Sequence, residues 1–331
     1  MRRSWIGKFE QASLATAAAI SMGLFGFVSV SHAAYPERPI TLQVGFAPGG
    51  PTDAMARVIA TEMGAELKKS VVVENKPGAG SNIAAVQVAR AKPDGYTLLM
   101  VAVTSAINQT MYAKPGFNLN TDFEPIGLVG TIPSMLVVNP QLPVNSVQEL
   151  VAYAKANPGK LTFGSSGNGT SIHIAGELFK SAANIDVTHV PYRGSALAGA
   201  AVVSGEISYM FDNVPTVSQF VQAGRMRALA VTTKERVNTA PKIPTMAESG
   251  FPDFNVSSWY GLIAPAKTPP EVINTLNRAL QKVISRSDFQ ERMKGMGVIV
   301  QKGTPESFGA FMKSETERWA PIVKASGARI D

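Results

Sequence analysis

Cysteine is absent from all 331 residues. That excludes disulfides, and it removes the thiolate both as nucleophile and as metal ligand. Histidine is nearly as scarce, with only His32, His173 and His189 in the chain. No His/Asp/Glu cluster has ligand spacing, so neither a metal nor a cofactor is expected. The phosphate-binding pattern G-x-x-x-x-G-K-[ST] is missing, and Gly167-Asn168-Gly169 runs into Ile172 where a dinucleotide fingerprint needs glycine. Gly164-Ser165-Ser166-Gly167 lacks the spacing of a hydrolase nucleophile elbow. Beyond the N-terminal region, no stretch is apolar for long enough to cross a membrane.

The N-terminal region itself has the layout of an export signal. Arg2, Arg3 and Lys8 form a basic start, Ala12 to Val30 is almost uncharged, and Ser31-His32-Ala33 supplies small residues at −3 and −1. Residues 1–33 are therefore expected to be a cleavable signal peptide. The run is nearly long enough for an anchoring helix, and the small-residue exit decides for cleavage. Arg2-Arg3 leaves both the general and the twin-arginine routes open. With no cysteine after the cut to carry a lipid, the expected location is the periplasm of a Gram-negative cell.

Past Ala33, 28 Lys and Arg face 23 Asp and Glu, a net charge of +5. These cations are scattered singly and not interleaved with aromatics, so no nucleic-acid partner is expected. A mild field of this sign steers small anions.

Short β-rich runs alternate with amphipathic stretches, the signature of an α/β architecture. Strands are expected at Ile40–Phe46, Val71–Glu74 and Tyr96–Val101, with helices at Thr52–Lys68 and Asn82–Arg90. A long apolar run, Ile126–Val138, ends at Asn139-Pro140. After it the rhythm restarts, with helices near 147–156 and 171–181 and strands near 161–164, 186–190, 207–211 and 228–231. Val256–Ala264 is extended again, and Thr304-Pro305 caps a long final helix. The expected division is two α/β lobes joined by a two-strand hinge: 34–138 plus 258–331 as the first, 139–257 as the second. Hinged lobes close on ligands held between them.

The sharpest chemistry lies in two matched strand-to-helix loops. The first is Phe46-Ala47-Pro48-Gly49-Gly50-Pro51-Thr52-Asp53; the second is Gly164-Ser165-Ser166-Gly167-Asn168-Gly169-Thr170-Ser171. A helix N-terminus exposes unpaired N–H groups with partial positive charge, and glycine lets the backbone come close to a ligand. Two such loops face to face can hold one carboxylate with no arginine. Either loop alone is equally an ordinary turn with Thr52 or Thr170 as cap. Ser105 after the third strand, Tyr192 and Arg193 after the strand ending at Val190, and Asp212 share the same strand-end geometry. Asp212 suits an amine or hydroxyl, or caps the next helix; Arg193 suits a second carboxylate, or a surface ion pair. A Ser166–His173 hydrolase is the sole enzymatic arrangement available, and it lacks an orienting acid and an oxyanion hole. The chain is not expected to be an enzyme.

Tyr35-Pro36-Glu37-Arg38-Pro39-Ile40, Ala47-Pro48-Gly49-Gly50, Asn75-Lys76-Pro77-Gly78-Ala79-Gly80, Pro93-Asp94-Gly95-Tyr96, Val190-Pro191-Tyr192-Arg193-Gly194, Phe211-Asp212-Asn213 and Trp259-Tyr260-Gly261 occur in this order. Together they make the chain resemble the Bug-type, TctC-like receptors, solute-binding components of tripartite tricarboxylate transporters. The resemblance implies a type II (Venus-flytrap) periplasmic binding protein. It implies a monomer that captures a small organic acid (a di- or tricarboxylate, an aromatic acid or an acidic amino acid) for membrane permease subunits. A role as ligand sensor for a signalling partner is the alternative. Family members hold a carboxylate through the two loops named above. Gly45-Phe46 and Ser195-Ala196-Leu197 depart from the usual pattern beside the pocket. The exported protein is expected to begin at Ala34, which N-terminal sequencing of the periplasmic fraction reads directly; a membrane-bound product retaining Met1 would show an anchor instead.

Overall fold

A computed structural model describes residues 35–327, 329 and 330; the expected signal peptide lies outside them. Among the described residues no helix is long and apolar enough to cross a membrane.

The chain enters through β1 (Ile40–Val44), α1 (Pro51–Leu67), β2 (Val71–Asn75), α2 (Asn82–Ala89), β3 (Thr97–Ala102) and α3 (Val103–Met111). β4 (Phe123–Val138) follows, then α4 (Val147–Ala156), β5 (Leu161–Ser165), α5 (Ser171–Ala183), β6 (Val187–Pro191) and α6 (Ser195–Ser204). β7 (Tyr209–Asn213), α7 (Val214–Gln222), β8 (Arg227–Val231) and β9 (Ser257–Pro265) come next. The chain ends with α8 (Pro270–Ile284), α9 (Ser287–Gly295), β10 (Ile299–Val300) and α10 (Pro305–Ser326). Local signals set several of these ends. Ser146 and Glu149 make a reciprocal capping box at α4, the Ser146 hydroxyl accepting from Glu149 N–H and the Glu149 carboxylate from Asn145 N–H. Thr304 caps α10 ahead of Pro305, as its sequence requires.

The strands form one mixed sheet in the order β2-β1-β3-β9-β4-β7-β5-β6, with β8 and β10 also on β4. β1 pairs in parallel with β2 and β3, and β5 in parallel with β6 and β7. β4 is antiparallel to all its neighbours and changes partners along its length. Phe123 to Pro133 run against β9, whereas Ser134 to Val138 run against β7, with β8 on the other side. The side chains of the second stretch alternate, Met135 and Val137 entering one core and Leu136 and Val138 the other. Both faces of the sheet are covered, as parallel strands require.

Val103–Met111 is a helix that the sequence pattern leaves unmarked, because Ala102 passes from extended backbone into it with no linker residue. The expected lobe boundary at 138 falls at the far end of β4, while the change of partners lies between Pro133 and Ser134. A strand that runs unbroken through the change leaves no turn residue to mark it.

The return crossing lies beside the outgoing one, and Thr232 joins them. Its hydroxyl accepts from Ser134 N–H at 3.1 Å and faces the carbonyls of Ser134 and Val256. Its backbone N–H donates to Ser134 O at 2.9 Å, and its carbonyl accepts from Val256 N–H at 3.3 Å. Thr232 is completely buried. Replacing Thr232 with Val keeps its shape but leaves the buried Ser134 N–H without its acceptor. We expect a loss of about 1–3 kcal/mol in a denaturant melt; an unchanged midpoint would show that the clasp contributes nothing.

Candidate functional site

β1 and β5 end in the two loops singled out above, and each loop is held from behind by side chains. In the first, Gly45 is buried, and a Cβ there would lie 1.9 Å from the Ser81 hydroxyl, so the position has no room for a side chain. Asp53, in the first turn of α1 and buried, turns its carboxylate back onto its own loop. Oδ2 accepts from Gly49 N–H at 2.9 Å and from Arg57 Nε at 2.9 Å, and Oδ1 accepts from Asn75 at 2.9 Å. The same Asn75 amide donates to Phe46 O at 3.0 Å. These bonds, the Arg57 one foremost, lower the Asp53 pKa to about 2. Ala47, Pro48 and Gly49 are left exposed at the tip.

In the second loop Ser165 is fully buried, its hydroxyl 2.7 Å from His189 Nε2 and 3.2 Å from both Gly167 N and Gly167 O. Thr170 caps α5, accepting from His173 N–H, and donates to Gly167 O at 2.8 Å. Gly167 and Gly169 have φ of +129° and +78°, backbone that a side chain would strain. Gly169 lies over α3, where a Cβ would meet Met111 at 3.8 Å. Ser166 is half-buried and Asn168 exposed. Ser166 and His173 do not pair, since His173 Nδ1 accepts from Gly169 N–H at 3.2 Å; the hydrolase arrangement is not formed.

Between the loops, polar groups from both parts of the sheet meet. The Thr52 hydroxyl bonds the buried Tyr260 phenol, whose pKa is raised by burial. Ser171 at the start of α5 lies 3.1 Å from Ser258, and Ser258 donates to Asn213 Oδ1 at 3.2 Å. Asp212, at the end of β7, is fully buried. Its Oδ1 accepts from Asn213 N–H at 2.7 Å and Ser195 at 3.2 Å, while Oδ2 has no partner. Burial raises its pKa to about 7. Ser105 is buried in the first turn of α3, beside Thr104, whose hydroxyl is likewise without a partner. Tyr192 donates to Glu206 at 2.7 Å, and Arg193 is exposed and makes no ion pair among the described residues.

Ser81, Asn108 and Ser258 were not singled out from sequence. The signal available was a cluster of unusual backbone: Ala79, Gly80 and Ser81 are consecutive at positive φ, clamped by Asn108 donating to Gly80 O at 2.8 Å. Such strain concentrates at functional sites. A separate groove of 720 Å³, lined by Pro133, Val214, Pro215, Val237, Val298 and Ile299 among others, holds no buried polar atom without a partner among the described residues. Asp212 Oδ2 and the Thr104 hydroxyl, which do lack a partner, lie outside it. Among the described residues no group of three or more His, Asp or Glu could hold a metal.

The lowered Asp53 pKa sets a sign. Its contribution to stability is complete above the ordinary value of 3.8 and is lost as pH falls through about 2. Asp53→Ala is therefore expected to lower the melting temperature by a constant amount near neutrality, with wild type and variant converging on approach to pH 2. A gap that persists in acid would assign the effect to packing.

The family model for the tripartite tricarboxylate transporter family receptor matches residues 55–328. The periplasmic binding protein BugD is 38% identical, with a TM-score of 0.77 over 89% of this chain and 99% of its own. Rpa4515 of R. palustris, solved with adipate, is 33% identical, with a TM-score of 0.79 over 89% and 99%. MatC from Rhodopseudomonas palustris, solved with bound malate, is 31% identical, with a TM-score of 0.76 over 87% and 100%. The α/β fold is thus that of periplasmic binding proteins, a group of receptors and not of enzymes. With its family match spanning most of the sequence, this chain belongs to the tripartite tricarboxylate transporter family of receptors.

Proposed function

We propose that this chain captures a small organic carboxylate between the loops 46–53 and 164–171 and hands it to the permease subunits of a tripartite tricarboxylate transporter. The observation that carries the reading is the way both loops are built. Each sits before a helix N-terminus, and each has its buried polar side chains turned inward to fix the backbone. Backbone N–H groups and helix dipoles remain to receive an anion. The carboxylate of Asp53, which would otherwise repel that anion, is matched by Arg57 and Asn75. In this reading Phe46, Ala47, Pro48, Gly49, Gly50 and Thr52 face Ser166, Asn168, Gly169, Thr170 and Ser171 across the ligand. Asp53 and Ser165 act from behind, and Ser105, Tyr192, Arg193 and Asp212 border the far end.

The two parts of the sheet on either side of the Pro133–Ser134 partner change are the lobes, and the paired crossings at Ser134 and Val256 are the hinge. The protein acts as a monomer in the periplasm after loss of residues 1–33. The relatives solved with adipate and malate support a linear dicarboxylate as the first ligand to try.

Thermal unfolding of the mature protein, freed of co-purified ligand by unfolding and refolding, tests this directly. A panel of adipate, malate, tricarboxylates, aromatic acids and acidic amino acids is titrated in. A true ligand at about 100 times its dissociation constant stabilises by roughly 2.7 kcal/mol, a clear upward shift. One acid is expected to give that shift while its amide does not. A flat response across the panel would overturn carboxylate capture.

A further inference from the structure

We propose that His173 and His189, which no ligand need touch, are positioning residues that lock the Ser165–Thr170 loop, and that the loop keeps its anion-binding shape only while His173 Nδ1 carries no proton. This rests on the reading of that loop as half of the ligand site.

A backbone N–H can only donate. Gly169 N–H lies 3.2 Å from His173 Nδ1, so Nδ1 carries no proton and the neutral ring bears its proton on Nε2. That nitrogen faces Glu177 at 3.9 Å. On the adjacent strand, His189 Nε2 meets the Ser165 hydroxyl at 2.7 Å, and this hydroxyl accepts from Gly167 N–H. Gly167 and Gly169, the two residues of the loop at positive φ, are thus each tied to one histidine, directly or through Ser165. Protonation of His173 at Nδ1 would set a donor against a donor and break the tie to Gly169.

The packing keeps the pair neutral. The two rings stack with centroids 4.1 Å apart, and His189 stacks in turn on Phe163 at 4.8 Å. Two cations so close in a buried site repel strongly. The other titratable groups around the pair are Glu177 and Lys180 on α5 and Tyr209 on β7. Glu177 is itself pushed up by burial, and Lys180 disfavours charge on His189. Burial lowers both histidines to about 4, the neighbouring ring adding to the effect on His189.

The test has a ligand-free arm and a ligand arm. In ¹⁵N spectra of the wild-type protein near pH 7, His173 is expected as the Nε2–H tautomer with bare Nδ1, and both rings as neutral. Amide exchange at Gly169 should be slow in wild type and faster by roughly tenfold in His173→Leu, the worth of one buried hydrogen bond. His173→Asn places an oxygen close to where Nδ1 was, and it should recover much of the protection that leucine loses. In the ligand arm, adipate affinity should fall roughly tenfold in His173→Leu and be partly restored in His173→Asn. In acid the wild-type affinity should decline more steeply than that of the asparagine variant, because protonation of adipate itself is common to both. A protonated or Nδ1–H His173 near neutrality, or Gly169 exchange unchanged by leucine, would overturn the proposal. If wild-type protein does not bind adipate, the tautomer and exchange results still decide the role of the histidines, the ligand arm is run with the acid that shifts the melt in the panel, and a flat panel overturns the carboxylate reading alone.

Discussion

The hydrogen bonding of β4 is the constraint from which the rest of the molecule follows. A strand of 16 residues, with different partners for its two halves, makes one covalent and hydrogen-bonded rod common to both parts of the sheet. Because β4 is antiparallel to β9 and β7, the parallel strands on its two sides end toward each other, and the loops leaving β1, β3, β5, β6 and β7 converge. Ligands of open α/β sheets sit beyond such strand ends. The second link, at Val256, follows from the same constraint, since the chain must return to the strand it left. Thr232 ties the two links within hydrogen-bond distance.

C-terminal packing fixes which part of the molecule each link serves. Glu315 of α10, almost wholly buried, accepts from the indole N–H of Trp259 at 2.8 Å and from that of Trp319 at 3.0 Å. Arg318 reaches Asn255 O at 2.7 Å while its guanidinium lies against Glu315. A buried carboxylate is tolerated only with its charge and lone pairs matched, and here the match is made by residues of α10 and of the return crossing together. The final helix is therefore bound to the start of β9.

Much of this was legible because the local signals agree with the fold. The Thr304-Pro305 start of α10, the alternation of strands with helices and the paired glycine loops are written in residue types that have few other uses. What stayed hidden was of two kinds. The helix Val103–Met111 begins without a cap or a linker, so nothing in its first residues separates it from the strand before it. The roles of Asp53 and the histidines depend on partners far along the chain: Asn75 for Asp53, and for Ser165 a histidine on the next strand. Asp53 was read from its position in the first loop, and its bonds to Gly49, Arg57 and Asn75 are visible only in the fold. Residue type gives the chemistry available at a position, and only the tertiary neighbours give its direction.

Both loops obey one physical rule. An anion site made of backbone N–H groups has no side chain to adjust, so its precision must come from whatever holds the backbone. Asp53 serves the first loop as a carboxylate kept ionised by Arg57, Gly49 N–H and Asn75; by our proposal His173 and His189 serve the second as neutral rings. Asp212 differs from all three. One of its oxygens is satisfied by Asn213 N–H and Ser195 and the other is open, and burial raises its pKa to about 7. A carboxyl in that state either repels a neighbouring carboxylate, when ionised, or donates to it, when protonated. Under the proposed function the two tasks are therefore separate: the fixed loops hold one carboxylate, and Asp212 meets the second group of the ligand.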